Sequence, residues 1–168
     1  DLEDLQMLID GLGAGERLFA DANQSWTLDE ALRFAAQSEG MPIGWLEEPI
    51  RADRPAAEWK TLADACGIPL AAGENIAGFE AFGAAIEGGT LTFLQPDLAK
   101  WGGISGCLAV ARQVVDAGLT YCPHFLGGGI GLSASAHVLA AAGGAGLLEL
   151  DVNTNPLRDA FFKDGPVR

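Results

Sequence analysis

Short apolar runs and amphipathic stretches alternate along the whole chain. Six runs, at residues 17–20, 43–46, 69–72, 91–94, 119–122 and 146–150, are mostly apolar on both faces and bounded by Gly, Pro or Asn. That pattern predicts strands of a buried parallel sheet. The stretches between them carry helical spacing over 55–67, 79–87, 104–117 and 132–142, with an opening helix over 2–11. Thr27-Leu28-Asp29-Glu30 has the form of a capping box, with Thr27 as N-cap and Glu30 reaching back. The helix it opens stops near Gly40, and Gly67 ends the helix that Pro55 starts. Strand and helix alternate throughout, so the predicted class is α/β with a parallel sheet.

An ionisable residue closes each predicted strand. Asp21, Glu47, Glu74, Asp97, His124 and Glu149 follow the six runs in order, 23 to 27 residues apart. That spacing is one βα unit per step. In a closed β/α barrel the C-terminal strand ends converge on one face, where such folds carry their chemistry. A single acid after a strand is ordinarily a helix cap or a solvated loop residue. Six in register call for a different explanation.

Asp21, Glu47 and Glu74 on three successive strand ends would make an oxygen-rich site suited to Mg²⁺, a hard cation that keeps open positions for water and substrate. Without a cation three such carboxylates would repel one another. Asp97 and His124 end the next two strands. A carboxylate beside an imidazole fixes its tautomer and raises its basicity, which makes His124 a candidate general base. Glu149, from the last strand, could face this pair across the barrel as a hydrogen-bond donor or general acid. Lys100, three residues after Asp97, is placed to aid charge balance or proton transfer. Glu48 is expected beside a ligand rather than as one, and Asn23 is a candidate hydrogen-bonding partner of ligand or substrate. Glycines 127, 128, 129 and 131 are expected to form a tight βα turn, and His137 a structural position in a helix. Cys122 could share the face of His124.

The balance of charge narrows the partners. Lys and Arg number 10 against 23 Asp and Glu, a net charge of −13. Such a chain repels phosphate backbones, which argues against nucleic acid. No apolar run approaches the roughly 20 residues of a membrane span, and the acidic start shows no signal-peptide pattern. The three cysteines, Cys66, Cys107 and Cys122, lack CxxC spacing, consistent with reduced thiols in a cytoplasm.

Four segments carry a family resemblance: Asp21-Ala22-Asn23-Gln24-Ser25-Trp26, Trp45-Leu46-Glu47-Glu48-Pro49, Gly73-Glu74-Asn75, and the run from Gln95-Pro96-Asp97 to Trp101-Gly102-Gly103. Together they resemble the strand-end motifs of mandelate racemase and its relatives in the enolase superfamily, over nearly the whole chain. The resemblance implies a TIM-type (β/α) barrel, here six βα units of a modified (β/α)7β barrel. It would make residues 1–168 a partial catalytic domain, barrel strands three to eight. It implies that Asp21, Glu47 and Glu74 are Mg²⁺ ligands, that Asp97 and His124 form the Asp–His dyad, and that Glu149 is the acid on the substrate carboxylate. Glu74 followed by Asn75 is more similar to the racemase branch than to the muconate-lactonising branch, which uses lysine bases.

The function implied is Mg²⁺-dependent removal of the proton next to a small-molecule carboxylate, through a stabilised enediolate. Dehydration or racemisation of an acid sugar or other α-hydroxy acid is the leading expectation. A cycloisomerase acting on a sugar lactone, or a metal-binding fragment without activity of its own, are the alternatives. The family's N-terminal lid domain, its first two barrel strands with a Lys-x-Lys motif, and a closing segment beyond Lys163-Asp164-Gly165 are expected to be missing from this sequence. The longer protein is expected to be a homo-oligomer.

Overall fold

The computed structural model describes residues 2–162, so Lys163-Asp164-Gly165 lie outside the described residues. The chain divides into two compact units, Asp1–Ala72 with Gly88–Thr92, and Gly73–Glu87 with Phe93–Arg168. Each is an α/β arrangement with parallel strands.

In the first unit, α1 (Leu2–Asp10), β1 (Leu18–Asp21), α2 (Leu28–Gln37), β2 (Ile43–Glu47), α3 (Ala56–Ala65) and β3 (Leu70–Ala72) follow one another. The strands pair in parallel, with Ala20 opposite Leu46, Asp21 opposite Glu47, and Leu46 opposite Leu70. Ile43, Trp45, Leu46, Leu70, Ala71 and Ala72 are buried, as is required of strands covered on both faces. Helices α2 and α3 pack side by side and bury Ala31, Ala35, Trp59 and Leu62. The capping box forms as predicted: Thr27 N–H donates to Glu30 Oε2 at 2.8 Å, and Glu30 N–H donates to Thr27 Oγ1 at 3.4 Å. Helix α2 ends at Gln37, three residues short of Gly40.

In the second unit come α4 (Phe79–Glu87), β4 (Phe93–Leu94), α5 (Gly103–Asp116), β5 (Thr120–Tyr121), α6 (Gly129–Ala142) and α7 (Pro156–Asp159). The parallel pair β4–β5 sets Phe93 opposite Thr120 and Leu94 opposite Tyr121. Helix α5 packs against both α4 and α6, and the core holds Phe82, Leu94, Val110, Val114, Tyr121, Leu132 and Val138.

Two expectations are corrected here. The segment 146–150 is not a strand. It lies close to β5, where a Cβ on Gly146 would come within 1.8 Å of the Tyr121 carbonyl oxygen. Yet Leu147 N–H donates to Cys122 Sγ at 3.3 Å rather than to a carbonyl, so no ladder starts. The glycine run is not all turn either, because Gly129 and Gly131 lie in the first turn of α6. A Cβ at Gly131 would meet the Phe125 ring at 2.2 Å, and one at Gly129 would meet Phe161 Cβ at 2.3 Å. Those rings, not a tight turn, require the missing side chains. The cysteines are all free thiols, and among the described residues no helix is long and apolar enough to cross a membrane.

Candidate active site

In the first unit, strand register brings Asp21 and Glu47 side by side at the C-terminal ends of β1 and β2. Asp21 is exposed, and its Oδ1 accepts the Asn23 amide at 2.7 Å. Asn23 thus gives its backbone N–H to that carboxylate. Glu47 is buried, and its Oε2 accepts from Trp45 Nε1 at 3.0 Å. Trp45 and Glu47 are two apart on one strand and so share a face. Trp45 is itself stacked on Phe19, with centroids 3.9 Å apart, and a Cβ at Gly44 would strike that Phe19 ring at 2.3 Å.

The turns after both carboxylates are unusual. Asn23, Gln24 and Glu48 have left-handed backbones, with φ of 45°, 58° and 38°. They are fixed by long-range bonds: Gln24 N–H donates to Glu48 O at 2.7 Å, and Gln24 Oε1 accepts from Ala52 N at 2.9 Å. Glu48 itself is fully buried. An apolar cavity of about 750 Å³, lined by Leu5, Trp26, Phe34 and Leu46 among others, has Asp21 on its wall.

The second unit gathers Glu74, Asp97, Lys100, His124 and Glu149. Asp97 follows β4, and its Oδ1 accepts the Ala99 amide at 2.7 Å, an Asx turn that aims the other oxygen. That oxygen, Oδ2, lies 2.8 Å from His124 Nδ1. His124 Nε2 lies 2.8 Å from Glu74 Oε2 and 3.7 Å from Glu149 Oε2. Lys100 Nζ, about half exposed, donates to the same Glu74 oxygen. Glu149 Oε2 accepts the Phe125 amide at 3.0 Å. Glu149 therefore sits beside the imidazole, on a neighbouring segment, rather than across from it. His137 is on the exposed surface of α6, and Cys122 is occupied with Leu147.

These contacts set the charges. Burial disfavours the His124 cation, but the Asp97 and Glu74 hydrogen bonds and the Glu149 charge outweigh it, and the pKa is pushed up to about 10. The hydrogen bond from His124, opposed by burial and aided by Lys100, holds Glu74 down at about 2. Burial works against the Asp97 anion too, but the bonds from His124 and the Ala99 amide hold its pKa below the ordinary value. With a carboxylate at each ring nitrogen, the form favoured at neutral pH is the imidazolium.

Among the described residues no three His, Cys, Asp or Glu side chains stand around one point as a metal would need. The donor chemistry nevertheless fits a hard cation. In the first unit Asp21 and Glu47 present carboxylates at paired strand ends, and in the second Glu74 presents a carboxylate that His124 and Lys100 hold anionic. Phe125 and Arg158 were not singled out from sequence, and Trp45 entered only as part of the motif around Glu47. The period-two spacing of Trp45 and Glu47 could also have shown that the two share a face.

The family model described as Enolase C-terminal domain-like matches residues 1–168. A D-galactarolactone cycloisomerase from Agrobacterium fabrum is 29% identical over 98% of this chain and 45% of its own length. An arabinonate dehydratase from Saccharolobus solfataricus is 30% identical over 98% of this chain and 43% of its own length. The chain spans less than half the length of these curated relatives. Among solved structures, a mandelate racemase/muconate lactonizing enzyme from Bordetella bronchiseptica RB50 is 56% identical, with a TM-score of 0.91 over 95% of this chain and 45% of that one. A racemase from Streptomyces coelicolor A3(2) with bound magnesium is 27% identical, with a TM-score of 0.79 over 89% of this chain and 42% of that one. Matched over its whole length, the chain belongs to the Enolase C-terminal domain-like family, the α/β barrel domain of the mandelate racemase and muconate lactonizing members of the enolase superfamily.

Proposed function

We propose that this chain is the proton-transferring part of an enzyme that removes the proton next to the carboxylate of an acid sugar or other α-hydroxy acid. The outcome is dehydration, or racemisation or epimerisation. The observation that carries this reading is His124, buried and gripped at Nδ1 by Asp97, with Nε2 presented between Glu74 and Glu149.

Asp97 orients the ring and leaves Nε2 as the nitrogen that gives or takes a proton. As the imidazolium, His124 can protonate a leaving hydroxyl. The charge of Glu74 is part of what keeps that proton on the ring. Wherever that charge is neutralised, the ring moves toward the neutral base that α-proton removal needs. Mg²⁺, held by Asp21, Glu47 and Glu74, would supply electrostatic stabilisation of the enediolate oxygens. By the family resemblance Glu149 would be the acid, the carboxyl that donates a hydrogen bond to the substrate carboxylate. Lys100 balances the negative charge gathered around Glu74 and His124 and can relay protons at the site. The partners of the longer protein are then a small carboxylate substrate and, as a homo-oligomer, further copies of itself, in a cytoplasm that keeps the three thiols reduced.

A second reading, cycloisomerisation of a sugar lactone, is favoured by the cycloisomerase among the relatives. It would use the same proton removal. The deciding experiment incubates the longer protein that carries this chain with Mg²⁺ and a panel of acid sugars and sugar lactones in D₂O. A keto-acid product, an epimer, or deuterium at the α-carbon is expected. No product and no exchange across the panel would sink the reading.

A further inference from the structure

The chain beyond Glu149 is irregular, yet it is tied down at two places to the segment that follows His124. Phe125 N–H donates to Glu149 Oε2 at 3.0 Å, and Asn155 Nδ2 donates to Gly127 O at 3.2 Å. Arg158 fills the arc between these two ties. Its side chain, on α7, is only 7% exposed. Nη1 donates to the carbonyl of Asp151 and Nη2 to the carbonyl of Asn153. Nη1 also lies 3.4 Å from the Asp151 carboxylate. Asn155 places Arg158 in turn: its Oδ1 caps α7 by accepting the amides of Leu157 and Arg158 at 3.1 and 3.3 Å.

A guanidinium buried in this way is a poor device for stability alone, because desolvation can cancel its attractions. It is a good device for geometry. Its planar fork reaches two carbonyls at a fixed angle, which an ammonium cannot do. We propose that Arg158 is a positioning residue: by gripping Asp151 and Asn153 it fixes the path of the chain after Glu149 and holds that carboxylate beside His124. The inference rests on the reading of Glu149 as the acid that faces the substrate.

The test uses the longer protein with Arg158→Met and Arg158→Lys, followed by hydrogen exchange at the Phe125 amide, by kcat and KM, and by thermal melting. In Arg158→Met the Phe125 amide should exchange at least about fivefold faster, while α5 keeps its protection. The kcat should fall about tenfold with KM nearly constant, as a misplaced group would produce. Arg158→Lys keeps the charge but loses the fork, and should recover little of either. If Arg158→Met does not fold, the Lys variant carries the same readout. Wild-type protection of Phe125 in a folded variant overturns the proposal whatever the activity. An inactive wild-type protein would instead remove the proposed reaction and leave the exchange result standing.

Discussion

His124 Nε2 and Glu74 Oε2 lie 2.8 Å apart, while Nδ1 of the same ring faces Asp97. The nitrogen proposed to move the substrate proton is thus engaged with a carboxylate proposed to hold a cation. Protonation of the ring and occupation of Glu74 are linked through one short contact, and the first three predictions explore that link.

Stability should depend on pH in a defined window. The folded pKa of His124, about 10, stands above its ordinary 6.5. Its contribution is therefore complete below about pH 6.5 and is lost as the pH rises toward 10. Glu74 runs the other way: at about 2 against 4.5, its contribution is complete above pH 4.5 and is lost as the pH falls toward 2. Melting temperatures of the metal-free longer protein should peak between these limits and decline on the alkaline side. His124→Asn should flatten the alkaline decline, and an unchanged decline would show that the contact contributes nothing.

His124→Asn should also abolish turnover while sparing cation binding. Positioned acid–base groups contribute about 10²- to 10⁴-fold, and a loss of that size is expected in product formation. The Mg²⁺ affinity, measured by calorimetry, should not fall, because the imidazole is no ligand and its cation competes with the metal for Glu74. Full activity in this variant would take His124 out of the mechanism. Exchange of the α-proton without net turnover would point to a second base elsewhere in the longer protein.

Lys100 donates to the carboxylate a cation would occupy, and it adds a positive charge nearby. Lys100→Met should therefore tighten Mg²⁺ binding about two- to fivefold. That modest figure reflects the side chain being about half exposed, where solvent screens the charge. Calorimetry at two salt concentrations checks it: the gain should shrink at high salt. Weaker Mg²⁺ binding would place Lys100 among the groups that organise the site.

Gly146→Ala should be severe. The added Cβ would fall 1.8 Å from the Tyr121 carbonyl oxygen, and backbone does not yield as a flexible side chain can. A loss of about 2 kcal/mol or more is expected from such overpacking. Because the segment also carries Glu149, activity should fall further than stability alone accounts for. Melting and turnover measured on the same preparation separate the two.

Much of the strand and helix pattern was legible in the sequence. The βα period puts Asp21, Glu47, Glu74, Asp97 and His124 at or just after the ends of five strands, whereas Glu149 lies in a segment that forms no strand, and the capping box at Thr27 was visible residue by residue. What spacing could not show was bonding that depends on distant backbone. An apolar run at 146–150 looks like a strand, but Leu147 finds the sulfur of Cys122 instead of a carbonyl. Glycines 129 and 131 look like a turn until the rings of Phe125 and Phe161 occupy the space beside them. Arg158 carries no signal in the sequence, because its role lies in carbonyls that any residue could supply.

The left-handed turns at Asn23, Gln24 and Glu48 bear on how this protein could be improved. Glycine tolerates such conformations at little steric cost, whereas other residues lose on the order of 1 kcal/mol or more each. A search for heat-resistant variants would be drawn to glycine at Asn23, where relief of the left-handed backbone would raise the melting point, while Gln24 and Glu48 would lose a bonded and a buried side chain. The same changes would loosen the chain beside Asp21 and Glu47. Selection for robustness and selection for catalysis thus pull in opposite directions at these turns, and a library scored by thermal survival alone would drift toward sturdy, idle proteins.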